Sequence, residues 1–174
     1  AQQRGLLYEA HDYALLSNAA NAVFLMTYEW GYAFGEPQAI APLPQVRAVL
    51  DYALSVTAGE NIFLGAPLYA YDWPLPYEKG QTRAETLSSL SAVARARLVG
   101  AEIEFDETAQ APYYRYFDKT RREHVVWFED ARSLRAKIVL AAEKGLQGIG
   151  FWQAGRELAQ AWPLLDALVT LETL

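Results

Sequence analysis

Aromatic and acidic side chains gather at the ends of three apolar runs: Tyr28-Glu29-Trp30, Tyr69 with Tyr71-Asp72-Trp73, and Trp152-Gln153. Rings offer flat faces on which the apolar side of a sugar stacks, and carboxylates and amides bond its hydroxyls. Three such ends facing one crevice would therefore build a carbohydrate site. Each residue also has a plain structural reading. A strand-end tyrosine often only packs. Trp30, Asp72 and Trp73 either line outer sugar subsites or stiffen an aromatic loop. Trp127 reads as packing an inserted segment against the main fold. Glu29, an acid at the end of a buried run, needs a partner wherever it sits.

Other chemistries find little support. His11 and His124 are the two histidines, and no serine stands in a Gly-x-Ser-x-Gly elbow. Ligand spacing of the His-x-x-x-His or Asp-x-Asp-x-Asp kind does not occur, so no metal or other cofactor is expected. With no cysteine, thiol catalysis, a Cys-type zinc site and a disulfide framework are excluded. Gly145-Leu146-Gln147-Gly148-Ile149-Gly150 resembles a phosphate loop superficially but leads into a strand rather than a helix. Glu102, Glu104 and Asp106 alternate as a solvated strand face would.

The elements that must hold the aromatic ends follow from periodicity. Helices are expected at Tyr8 to Ala20, Pro44 to Val56 (closed by Gly59), Leu87 to Val99, Asp130 or Ser133 to Lys144 (closed by Gly145), and Glu157 to Leu171. Continuous apolar runs at 22–28, 61–69 and 148–152 read as strands buried on both faces of a parallel sheet. Tyr71 to Tyr77 reads as an aromatic, proline-rich loop. Short alternating strands at 102–106, 113–118 and 124–128, the last two joined by a polar hairpin, form an antiparallel insert. Helix and strand alternation implies parallel strands with right-handed crossovers, and in such folds ligands bind at the strands' carboxyl ends.

The 174 residues suffice for one compact domain; 52% are hydrophobic and 23 are aromatic (11 Tyr, 7 Phe, 5 Trp), which excludes a largely disordered chain. No apolar run reaches the roughly 18 residues of a membrane span. The net charge of −6, with scattered basic residues, argues against nucleic acid or an anionic membrane as partner. The first residues lack the pattern of a signal peptide. A complete eight-fold β/α barrel, at about 250 residues and rarely under about 200, does not fit.

Four segments together resemble glycoside hydrolase family 18: residues 26–32 (MTYEWGY), 65–73 (GAPLYAYDW), 126–133 (VWFEDARS) and 148–152 (GIGFW). The nearest branch is the bacterial spore peptidoglycan hydrolases, the cortex-lytic N-acetylglucosaminidases. The resemblance covers nearly the whole chain but only the second half of that family's (β/α)8 (TIM) barrel. It implies an α/β fold in which residues 1–174 form the C-terminal part of the barrel, strands six to eight with their helices. An α+β insertion is expected at about 77–129. The family's catalytic signature, Asp-x-x-Asp-x-Asp-x-Glu, does not occur in the sequence; the nearest acidic cluster, residues 102–107, has the wrong spacing.

The resemblance further implies substrate-assisted, retaining hydrolysis of β-linked N-acetylglucosamine glycans, of peptidoglycan or chitin type. A glutamic acid protonates the glycosidic oxygen while the sugar's own N-acetyl oxygen attacks the anomeric carbon. By match to the family's Met-x-Tyr motif, Tyr28 orients the N-acetyl group. Trp152 matches the tryptophan floor beneath the reacting sugar. Glu29 stands where many members have Asp, and Tyr71 where many have Arg. Glu29, Trp30, Tyr71, Asp72 and Trp73 are the remaining candidate glycan contacts. Without the acid the chain alone is expected to be inactive, and a non-catalytic glycan-binding module is the alternative. Half a barrel exposes two sheet edges, so pairing with an N-terminal half-barrel or self-association is expected. A spore, cell-envelope or extracellular location is carried by the resemblance only.

Overall fold

A computed structural model describes residues 11–153, 155–156 and 158–168. In chain order the elements are α1 (Tyr13–Ala19), β1 (Val23–Leu25), α2 (Leu43–Leu54), β2 (Ile62–Pro67), β3 (Tyr69–Pro74), β4 (Glu85–Ser88), α3 (Ser89–Val99), β5 (Glu104–Asp106), β6 (Ala111–Phe117), β7 (Glu123–Trp127), α4 (Ala131–Glu143), β8 (Gly148–Trp152) and α5 (Ala161–Leu168). They form two sheets. One is parallel, in the order β1-β2-β8; the other is antiparallel, in the order β4-β3-β7-β6-β5.

The alternation in the parallel sheet decides its two faces. Leu25, Ile62, Leu64 and Ala66 point to one side, where Val46, Leu50 and Ala53 of α2 and Leu134, Leu140 and Ala141 of α4 bury them. On the other side lie Gly65, Gly148 and Gly150. Their missing side chains leave room for two rings: a Cβ on Gly65 or Gly150 would meet Phe24 at 2.7 and 2.4 Å, and one on Gly148 would meet Phe63 at 2.9 Å. That side is not sealed: Phe24 is 43% exposed and Met26 70%. The expectation of strands buried on both faces is therefore corrected. Helices cover one face, and three parallel strands do not curve far enough to close over the other. Among the described residues, β1 and β8 each pair with β2 alone.

The antiparallel sheet begins earlier than the sequence suggested. Tyr69–Pro74 is a strand, paired with β4 on one side and β7 on the other, and not an aromatic loop. Its tyrosines and tryptophan alternate with Ala70 and Asp72, so period two was present, but the prolines at 74 and 76 read as a loop. The sheet is thus built from residues 69–127 rather than starting near 77. Two smaller differences concern boundaries. The first strand is only Val23–Leu25, because Thr27 leaves the ladder and donates its hydroxyl to the Gly65 carbonyl at 2.7 Å. Helix α2 stops at Leu54, before Gly59, which instead opens a 3-10 turn packed against the Gly145 carbonyl.

Helix ends are explicit. Asp130 and Ser133 form a reciprocal capping box for α4, so both of its candidate caps are used. Ser88 caps α3, whose other end closes on Gly100 in the left-handed region at φ 68°. The start of the first expected helix, Tyr8, and the ends of the last, Glu157 and Leu171, lie outside the described residues. One buried ion pair ties the layers together. Glu129, just past β7, accepts from Lys137 Nζ of α4 at 2.8 Å, and both side chains are fully buried. Burial holds the Glu129 carboxyl above the usual range against the opposing pull of Lys137.

Candidate functional site

The carboxyl ends of the three parallel strands open on one cleft of ≈ 220 Å³, lined by Glu29, Tyr69, Tyr71, Thr86, Trp152, Gln153 and Arg156. Each strand delivers its part in a different way. Beyond β1 the chain turns sharply, and Glu29 sits at φ 71°, a left-handed conformation that costs a non-glycine residue roughly 1–2 kcal/mol. The Thr27 hydroxyl pins that turn to β2. Strand β2 passes straight into β3, whose period-two pleat turns Tyr69, Tyr71 and Trp73 to one face. Strand β8 ends on Trp152, 53% exposed, with its carbonyl accepting from the Leu68 N–H at 2.7 Å.

Glu29 is the polar centre. Its Oε1 accepts from the Tyr69 hydroxyl, and the Tyr71 hydroxyl donates to Oε1 at 3.1 Å, with Oε2 at 3.3 Å. The left-handed backbone at Glu29 persists because the two phenols and the Thr27 tether hold it there. Burial first, and then the Glu29 carboxylate, push the Tyr71 hydroxyl up to about 12. The same two causes, with the short hydrogen bond between them in order, raise Tyr69 further. Both phenols thus stay protonated donors at neutral pH. Tyr28 is half-buried and does not line the cleft; its ring meets Tyr69 edge-on, with centroids 6.5 Å apart. Burial and Glu29 raise its hydroxyl as well.

Of the expected contacts, Glu29, Tyr71 and Trp152 come together. Trp30 does not join them: half-buried, it packs against the main core, and its backbone pairs with Ile40 and Gln38. Asp72 and Trp73 are corrections. Trp73 is fully buried and donates its ring N–H to the Gly35 carbonyl at 3.0 Å. Asp72, 1% exposed, points to the opposite face of β3, where it accepts from Arg95, from Tyr116 at 2.7 Å and from His124 at 2.7 Å. The strand's alternation explains both, since residues 71 and 72 must face opposite ways. Trp127 packs face to face on Tyr113 at 4.6 Å, across adjacent strands of the antiparallel sheet itself rather than between that insert and the parallel sheet.

Sequence reasoning did not assign Tyr69, Thr86, Gln153 or Arg156 to the site. Tyr69 and Gln153 stood in the quoted strand ends and were within reach of the argument. Thr86 and Arg156 were not, because they arrive from β4 and from the loop after β8. Arg156 is fixed there by donating Nη1 to the Leu87 carbonyl at 3.0 Å. No group of three or more potential metal ligands occurs among the described residues.

Parallel strands carrying an acid-and-aromatic cleft at their carboxyl ends define an α/β protein of the strand-end binding class. Within that class the chain belongs to the glycosyl hydrolases family 18, whose model matches residues 1–157. It is 48% identical over 166 residues to the cortical fragment-lytic enzyme of Bacillus subtilis, covering 95% of this chain and 38% of that protein. It is 26% identical to the rat di-N-acetylchitobiase, covering 87% of this chain and 47% of that one. The Bacillus cereus spore cortex-lytic enzyme SleL superposes with a TM-score of 0.93 at 43% identity, covering 97% of this chain and 39% of SleL. The chain thus spans less than half the length of each of these relatives.

Proposed function

We propose that this chain is the part of a (β/α)8 glycosidase domain carrying its last three strands and an α+β insertion. Together with residues beyond this chain, it acts on β-linked N-acetylglucosamine glycans of peptidoglycan or chitin type. The observation that carries the reading is the convergence of Glu29, Tyr69, Tyr71 and Trp152 on one cleft at strand carboxyl ends. The names of the relatives, cortical fragment-lytic enzyme and di-N-acetylchitobiase, point the same way.

In this reading hydrolysis is substrate-assisted and retaining. The N-acetyl carbonyl oxygen attacks the anomeric carbon, the glycosidic bond breaks, and its electron pair takes a proton from a glutamic acid outside this chain. Water then opens the oxazolinium ring with retention. Tyr28, outside the lining of the free cleft but edge-on to Tyr69 and next to Glu29, turns its hydroxyl to the N-acetyl group once sugar is bound and holds it in line; Glu29 bonds sugar hydroxyls, and Trp152 forms the floor. Alone the chain holds the sugar without the proton donor, so it binds and does not turn over. The outer strands of the parallel sheet, β1 and β8, which among the described residues pair with β2 alone, close on an N-terminal half-barrel or on a second copy. A location at the spore or cell envelope is the reading that the name of one relative, spore cortex-lytic enzyme, supports.

The test is hydrolysis of an N-acetylated glycan by a protein that joins this chain to a half carrying the acid signature. Tyr28→Phe and Trp152→Ala there should each lower turnover. Full rates in both variants would remove the assignment. Turnover by this chain alone at the rate of the joined protein would overturn the need for an outside acid.

A further inference from the structure

A second recess of ≈ 400 Å³ opens on the antiparallel sheet, beside the end of β3, and is lined by Pro74, Glu78, Gln81, Thr82, Arg83 and Arg122. Its two guanidiniums differ from the ion-paired arginines 47, 95, 115 and 132: among the described residues neither Arg83 nor Arg122 pairs with a carboxylate. Both are nonetheless held. Arg122 donates Nε to the Leu75 carbonyl at 3.1 Å, which leaves its terminal nitrogens free. Arg83 lies over the Phe34 ring, 5.4 Å from the centroid. The turn between them is fixed by the Thr82 hydroxyl, which accepts from the Glu78 N–H at 2.8 Å. Glu78 offsets one of the two positive charges, so the recess keeps a net positive charge in a chain whose overall charge is −6.

We propose that this recess binds a carboxylate group carried by the glycan, namely one on the peptide stems of peptidoglycan. A guanidinium's planar fork matches carboxylate geometry, and each of these two exposed arginines already has one tether that limits its freedom. Tyr71 lies in the glycan cleft and Pro74 in the recess; three residues of extended strand separate them, about 10 Å. Pro74 itself leaves β3 on the opposite face from Tyr71, but Arg83 lies over Phe34, next to the Gly35 carbonyl that takes the Trp73 N–H, so the recess flanks the face that Tyr71 and Trp73 share and one substrate reaches both sites. A neutral chitin-type polymer has nothing to place in the recess, so the recess selects peptidoglycan over chitin. The inference rests on the glycan reading of the cleft for its substrate, but not for its anion chemistry.

The experiment follows the Arg83 and Arg122 Nε–H signals by NMR as a short stem peptide with two free carboxylates is added. The same peptide with both carboxylates esterified is the control. Trp152 fluorescence with a neutral chitin disaccharide reads the cleft separately. Saturable shifts of both arginine signals with the free acid only, weakened about tenfold or more by Arg83→Ala or Arg122→Ala, are expected. No shift, or equal shifts with the ester, overturns the carboxylate site whatever the cleft does. Arginine shifts without a fluorescence response leave the anion site standing and sink the glycan reading instead.

Discussion

Replacing Lys137 by methionine keeps the length of the side chain and removes the cation that faces Glu129 in the interior. Both side chains are fully buried, Nζ lies 2.8 Å from Oε2, and Oε1 is buried with no hydrogen-bond partner. Stripping one member from such a pair costs about 3–5 kcal/mol, because the other charge is left in a low-dielectric site. Glu129 has one escape, which is protonation. Burial already raises its folded pKa, and losing Lys137 removes the largest opposing effect. A carboxyl raised in the folded state contributes stability below its unfolded value that is lost as pH rises through the folded one. The variant should therefore lose little at pH 5 and most at pH 8, at up to about 1.4 kcal/mol per pH unit between. Urea unfolding at both values measures this, and adding Glu129→Gln should restore much of the loss at pH 8. A penalty below about 1 kcal/mol at pH 8, or one independent of pH, would refute the reasoning.

Four further outcomes are expected. Gly65→Ala should destabilise by about 1–3 kcal/mol, because its Cβ would lie 2.6 Å from the Leu25 carbonyl oxygen; Gly150→Ala should cost less, since its closest contact is the half-exposed Phe24 ring. Urea midpoints compare the two, and equal costs would contradict the distinction. Phenolate absorbance should show Tyr71 ionising near 12 in the parent and lower in Glu29→Gln; the stability its retained proton provides is complete below pH 10 and fades as pH rises toward 12. Asp72→Asn should cost about 2–3 kcal/mol, through its bonds to Arg95, Tyr116 and His124, while leaving glycan affinity unchanged. Glu85 is held below its usual range by the Arg95 hydrogen bond, so its small contribution is present above the unfolded pKa and lost as pH falls through the folded one. Glu85→Gln should flatten that limb of an acid-unfolding curve.

Much of the fold was legible because the signals were local and redundant. The apolar runs at 62–67 and 148–152 are bounded by glycines, caps and prolines, and their parallel order follows from the helices between them. The strand at Tyr69–Pro74 was missed because its aromatic alternation competes with proline punctuation, and only pairing with β4 and β7 decides the matter. That one error governed the site. A loop allows Tyr71, Asp72 and Trp73 all to face a ligand; a strand permits only alternate residues to share a face. Thr86 and Arg156 could not be read from the sequence, since nothing local marks β4 or the loop after β8 as neighbours of the Glu29 turn. The positive φ of Glu29 was likewise silent, because no glycine stands there to announce it.

Binding of an N-acetylated β-linked disaccharide, set against its de-N-acetylated counterpart, probes the shared cleft most directly. Quenching or enhancement of Trp152 fluorescence should be saturable with the acetylated sugar, absent with the other, and abolished by Trp152→Phe. Identical titrations for both sugars, or an unchanged signal in the Trp152 variant, would mean that Glu29, the two tyrosines and Trp152 do not form an acetamido-sugar site.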